Sequence, residues 1–287
     1  MSAFFGPAGR DDSLAVLGYK STMDIPRCLN QKGLDAFEYQ CGRGVNVKEE
    51  AAVCFGKLAA AENIRLSLHA PYYISLSSLE AEKRDRSIDY IISSAAAAAA
   101  MGADRIVIHS GSCSKITREQ ALALATDTLK RAQTALDERG LGHVRMCPET
   151  MGKINQLGTL QEVLTLCRLD ERMLPCVDFG HLNARSLGGL QTRFDYAAVL
   201  DEIENALGRE RLRQFHVHFS KIEYTSGGEK QHLTFDDTTF GPDFEPLLDE
   251  IIRRDLSPVL ICESAGTQSD DALTMKQYYQ SRTEAQQ

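Results

Sequence analysis

The chain has no CxxC pair, no apolar stretch near the roughly 20 residues that span a bilayer, and no surplus of basic residues. Its eight cysteines, Cys28, Cys41, Cys54, Cys113, Cys147, Cys167, Cys176 and Cys262, are dispersed. That spacing excludes a zinc ribbon or a compact disulfide framework and predicts reduced, mostly buried thiols. The opening segment MSAFFGPAGRDD lacks the basic start and apolar run of a signal peptide, so a cytoplasmic protein without membrane contact is expected. A net charge of -8 argues against a broad basic face for nucleic acid. Acids that sit in a metal cluster escape that argument, because each divalent ion returns about two positive charges. No linker or shift in composition divides the chain, and 43% hydrophobic with 25% charged residues describes a globular protein. A single domain over residues 1–287 is expected.

Short apolar, β-branched runs that end in polar residues recur along the sequence. They predict strands at Phe4–Pro7, Ala36–Gln40, Arg65–Ala70, Arg105–Ser110, Val144–Glu149, Leu174–Asp178, Gln214–Phe219 and Pro258–Glu263. Helical stretches lie between them, at Val47–Asn63, Leu79–Met101, Thr117–Arg139, Leu157–Cys167, Tyr196–Leu207 and Phe244–Arg254. Eight strands alternating with helices, at roughly 36 residues per unit, predict an α/β fold: one (β/α)8 TIM barrel. The Ala95–Ala100 run is read as a helix face that packs closely. The stretches Gly42–Gly44, Ser186–Gly189 and Thr225–Gly228 read as rim loops.

The histidines are not scattered. Only His143 precedes a strand; His69, His109, His181, His216, His218 and His232 fall at strand ends or just beyond. Three acids obey the same rule: Glu149, Asp178 and Glu263 each close an apolar strand. Such residues face the mouth of a barrel at its C-terminal end, where this fold places its chemistry. Three unpaired carboxylates in a partly buried mouth would cost several kcal/mol unless metal ions or cations offset them. Imidazoles mixed with carboxylates suit Zn²⁺, with Mn²⁺ or Fe²⁺ as further options. The competing reading is a network of carboxylates that share protons or pair with arginine.

The segments HAPYYISLSS, HSGS, PET, VDFGH, HVHFSK and LICESAG, in that order, resemble the endonuclease IV family (family 2 AP endonucleases), within the xylose-isomerase-like TIM-barrel group. The resemblance runs nearly the whole length and implies a trinuclear zinc site. It implies His69 and His109 as ligands of a first zinc, and Glu149 as the carboxylate bridging to a second. Asp178, His216 and Glu263 then complete the second site, while His181 and His232 belong to the third. It makes Glu149 and Glu263 the candidate catalytic carboxylates. Tyr72, with His218, Gln40 and Arg43, is assigned to the substrate. The chain departs from the family at Lys230-Gln231-His232, where the family has Asp, any residue, His; Glu229 is expected to supply the missing third ligand. It departs also at Ser75, Phe179-Gly180 and His218-Phe219.

Two functions follow. One is a zinc phosphodiesterase with two or three ions that cleaves damaged DNA at abasic sites, acting as a monomer. The other is an isomerase or epimerase of a sugar or sugar phosphate, in which Glu149, Asp178, His216 and Glu263 hold one Mn²⁺, Mg²⁺ or Zn²⁺. A barrel that keeps its metal but serves only as a scaffold is the non-catalytic reading.

Overall fold

A computed structural model of the protein describes residues 2–16, 19–113 and 115–285. Ten strands are found among them: β1 (Phe4–Pro7), β2 (Ala36–Gln40), β3 (Arg65–His69), β4 (Arg105–His109), β5 (Arg145–Glu149), β6 (Cys176–Asp178), β7 (His216–Phe219), β8 (Lys221–Thr225), β9 (Gly228–Leu233) and β10 (Val259–Cys262). Eight of them form one parallel sheet in the order β1-β10-β7-β6-β5-β4-β3-β2, a TIM barrel with helices outside. The eight strands expected from the sequence are all present, most of them one or two residues shorter. The sheet closes where Ala8 bridges Glu38 in parallel and the Gly9 amide donates to the Glu38 carbonyl at 2.9 Å. Gly6 makes this possible, since a Cβ there would lie 1.8 Å from the Ala36 carbonyl oxygen.

The helices cover the barrel with their apolar faces. Thr117 with Gln120, and Thr159 with Glu162, form capping boxes that start the helices Arg118–Glu138 and Leu160–Cys167. In the helix Ala81–Met101, Ala95 and Ala98 are fully buried, as the low-complexity run led one to expect. Among the described residues no helix is long and apolar enough to cross a membrane.

Inside the barrel, side chains alternate with those packed under the helices. At the N-terminal end, Asp104 holds Arg65 and Arg105 at 3.0 and 2.9 Å. Above this lie two small apolar clusters, Val107–Cys147–Leu174–Cys176 and Ala36–Val259–Ile261. The C-terminal end holds imidazoles and carboxylates.

The residues after β7 were expected to form a loop, but β8 and β9 pair as an antiparallel hairpin. Most of its side chains are partly or fully exposed, so it carries no alternating apolar signal. Cross-strand contacts hold it instead: Glu223 accepts from Lys230 Nζ at 2.6 Å and from Gln231 Nε2 at 2.8 Å. The helices Ile25–Lys32, Phe179–Arg185 and Gln268–Glu284 also went unread in the sequence.

Candidate metal centre

A cavity of about 620 Å³ opens at the C-terminal end of the barrel, lined by His69, His109, Glu149, His181, His232 and Glu263 among others. Three groups of potential ligand atoms surround it: His69, His109 and Glu149; Glu149, Asp178, His218 and Glu263; and His181, Glu229 and His232. Within each group the atoms lie within 4.8 Å of one another. Glu149 belongs to two of them. Its Oε2 lies 3.4 Å from His69 Nε2 and 3.3 Å from His109 Nε2. Its Oε1 lies 3.1 Å from His218 Nδ1.

Local structure sets these orientations. The Nδ1 of His69 is 2.8 Å from the Ala70 carbonyl oxygen, and the Nδ1 of His181 is 2.9 Å from that of Thr150. A ring nitrogen that donates to a carbonyl leaves the other free as a ligand. Asp178 ends β6 and caps the next helix, accepting from the His181 amide at 2.7 Å, so one turn places both residues. The loop after β5 is fixed by Arg185, which donates to the Met151 and Lys153 carbonyls at 2.9 and 2.8 Å. The hairpin rests on that loop. Gly228 has φ +88°, and a Cβ there would lie 2.2 Å from the Gly152 carbonyl oxygen. This seating brings Glu229 Oε2 to 3.4 Å from His181 Nε2.

Two assignments made from the sequence are corrected. His216 is not in the second group; its place is taken by His218. Both side chains point into the barrel, but Asp178 pairs with His218, whereas His216 pairs with Cys176 one layer deeper. There the His216 Nε2 meets Glu38 Oε2 at 2.9 Å. His218 is fully buried beneath the carboxylates, so it does not face a substrate in the cavity. Cys176, remote from any ligand group in the sequence reading, comes within 4.8 Å of His216 and His218. Lys230, the partner that would have left Glu229 idle, pairs with Glu223. His143 lies away from the site, its Nδ1 3.1 Å from the Gly140 carbonyl oxygen.

The sequence reading passed over Glu38, an acid on the inward face of the mostly apolar strand AFEYQ. That acid at an inward position of a strand was the available signal. It missed also Ser220, whose Oγ lies 2.8 Å from His232 Nδ1.

Burial alone would neutralise these groups, yet they compensate one another. Burial would raise the Glu149 carboxyl, but contacts with His109, His218 and His69 hold it well below the usual range. His218 outweighs burial at Glu263 and holds it down to about 2. Burial dominates at Asp178 and pushes it up to about 6. At His181, burial is overcome by Asp178, Glu149 and Glu229, which raise it to about 9. Two buried oxygens, Glu149 Oε2 and Asp178 Oδ2, have no hydrogen-bond donor. Orphaned anionic oxygens beside imidazole nitrogens are what a divalent cation would satisfy, so the residues fit a metal.

Of the expected substrate contacts, Tyr72, Gln40 and Arg43 line the cavity. Tyr72 is 56% exposed and stacks on His109, ring centroids 5.4 Å apart. Lys153, which the sequence did not single out, lines the same cavity.

Comparison with known proteins gives three kinds of match. The family model described as xylose isomerase-like TIM barrel matches residues 27–281. An uncharacterized protein of Methanocaldococcus jannaschii is 35% identical over 89% of this chain and 90% of its own. A protein of Aster yellows witches'-broom phytoplasma, named "Probable endonuclease 4", is 27% identical over 69% of this chain and 68% of its own. Among solved structures, a D-tagatose 3-epimerase-like protein has a TM-score of 0.74 at 16% identity, covering 99% of both chains. Endonuclease IV of Thermus thermophilus has a TM-score of 0.71 at 19% identity, covering 97% of this chain and 99% of its own. The structural likenesses speak for the fold alone.

Proposed function

Given that the chain belongs to the xylose isomerase-like TIM-barrel family, we propose that it is a metal-dependent phosphodiesterase that incises DNA at abasic sites. One observation carries this reading: three ligand groups surround one cavity, and Glu149 is common to two of them. A sugar epimerase acting through one ion needs only the group Glu149, Asp178, His218 and Glu263. The other members of the groups His69–His109–Glu149 and His181–Glu229–His232 would then serve only as substrate contacts.

Bound divalent ions would supply Lewis acidity at a phosphoryl oxygen and lower the pKa of a coordinated water. His69, His109 and Glu149 would hold one, Glu149, Asp178, His218 and Glu263 a second, and His181, Glu229 and His232 a third. Around them the chain's own residues prepare the cavity for a phosphate-bearing strand. Arg43 and Lys153, on the loops after β2 and β5, put positive charge at the mouth of an acidic site. Tyr72 presents an exposed ring at the rim, suited to stacking on a nucleotide. Glu263 lines the cavity, and its carboxylate is placed to orient an attacking water beside the ion it would help to hold.

A second reading has its own support. Glu149, Asp178, His218 and Glu263 are a complete four-ligand set, and a barrel of closely similar fold is named as epimerase-like. In that case the chain would epimerise a sugar or sugar phosphate with Mn²⁺ or Mg²⁺. Elemental analysis of metal per chain, with parallel assays on an abasic-site duplex and on ketoses, separates the two. Two or three zinc ions with incision support the nuclease. One ion with ketose turnover and no incision overturns it.

A further inference from the structure

The second ligand group rests on a carboxylate that is not part of it. Glu38, on β2, is fully buried in the barrel interior. Four groups surround its two oxygens. Ser67 Oγ donates to Oε2 at 2.9 Å, and His216 Nε2 meets the same oxygen at 2.9 Å. Gln40 Nε2 donates to Oε1 at 3.2 Å, and His218 Nε2 lies 2.9 Å from it. The other ring nitrogen of His218, Nδ1, faces upward, 3.1 Å from Glu149 Oε1 and 3.5 Å from Glu263 Oε2.

We propose that Glu38 is a positioning residue for metal binding, fixing His218 in the tautomer that carries its proton on Nε2 and turns the Nδ1 lone pair toward Glu149, Asp178 and Glu263. The inference rests on the reading that this group holds an ion.

His69 and His181 are oriented by the backbone carbonyls of Ala70 and Thr150, at the open end of the barrel where the chain leaves the sheet. His218 lies inside β7, where strand carbonyls point along the ladder to neighbouring strands rather than into the barrel. No backbone acceptor is offered to its inner nitrogen, so a side chain has to supply one. The nearest acceptor is Glu38 Oε1, 2.9 Å from that nitrogen though off the direction of a hydrogen bond in this structure, and Glu38 is braced beside the barrel seam by Ser67 of β3 and Gln40 of its own strand. His216 donates to the same carboxylate and so holds the far oxygen in place.

The geometry also defines the rival. Cys176, His216 and His218 come within 4.8 Å of one another one layer down. An ion held by those three through the inner nitrogen of His218 would take its lone pair, and that nitrogen would then carry no proton.

Long-range ¹H–¹⁵N spectra of the histidine rings in the zinc-loaded wild-type protein test the proposal directly, with His216→Gln used to assign the two neighbouring rings. The expected result is a protonated Nε2 and a metal-bound Nδ1 on His218. Glu38→Gln, checked for folding by circular dichroism, should weaken one zinc ion by roughly 10–100-fold in competition with a chelator, leaving the others unchanged. An unprotonated Nε2 in the wild type overturns the proposal even if the variant does not fold. So does a folded Glu38→Gln that keeps every zinc at wild-type affinity, and in that case the metal reading itself survives. A wild-type chain that leaves the second group without zinc overturns both.

Discussion

Replacing Glu149 by Gln keeps the shape of the side chain and removes its charge. In the wild-type protein one oxygen faces His69 and His109 at 3.4 and 3.3 Å, and the other faces His218 at 3.1 Å. The side chain is 1% exposed, so water cannot stand in for either oxygen. An amide offers one acceptor and no negative charge, so it cannot serve two ligand groups at once. Removing one member of a buried set of charges costs about 3–5 kcal/mol. At about 1.4 kcal/mol per decade, that is roughly 10²–10⁴-fold in metal affinity. Dialysis against a graded chelator series, followed by elemental analysis, should show ions lost from Glu149→Gln at chelator strengths that leave the wild type intact. Incision of an abasic-site duplex should fall by at least the same factor. If the folded variant keeps its full metal content and its rate, the shared role of Glu149 is wrong.

Other expectations follow from the same geometry. Glu229→Gln should release one ion and leave the rest bound, weakening that ion by at least the roughly 10–100-fold typical of lost outer partners; unchanged stoichiometry and affinity would refute the third group. The third group should also titrate. His181 is raised to about 9, so in the metal-free protein it is protonated at neutral pH and an ion must displace that proton. Affinity there should therefore rise up to about tenfold per pH unit until pH is near 9, measured by zinc titration, and a flat profile between pH 7 and 9 would count against it. The same raised value stabilises the metal-free fold fully below the unfolded pKa of about 6.5, and that contribution is lost as pH rises through about 9. Gly6→Ala should strain the barrel seam, since its Cβ would meet the Ala36 carbonyl at 1.8 Å. A loss of about 3 kcal/mol, at the upper end of ordinary overpacking, is expected in urea unfolding, and an unchanged midpoint would show that the seam relaxes freely.

The strands were legible because their signal is local. A short apolar run that ends in a polar residue needs no distant partner to be recognised, and the alternation of such runs with helices fixes a parallel barrel. The same local signal put His69, His109, Glu149, Asp178 and Glu263 at one end of the barrel, since the last residue of each parallel strand faces the same rim. The hairpin β8–β9 gives no such signal, because most of its side chains are at least partly exposed, and its sequence reads as a loop.

Depth inside the barrel was not legible. The two-residue period of a strand sends both His216 and His218 inward. Only the register, Asp178 against His218 and Cys176 against His216, decides which of them reaches the carboxylates. The link from Glu38 to His218 joins residues 180 positions apart in the sequence, across a seam that no neighbouring residue announces. Glu229 could be guessed from a gap in a motif, but what brings it to His181 is the close seating of Gly228 on Gly152. The sequence by itself determined the barrel and the end at which its ligands gather, because strand period and polarity are properties of short segments. The tertiary structure decided which atoms meet, because the stagger of strands and the landing of a hairpin are set by contacts between distant parts of the chain.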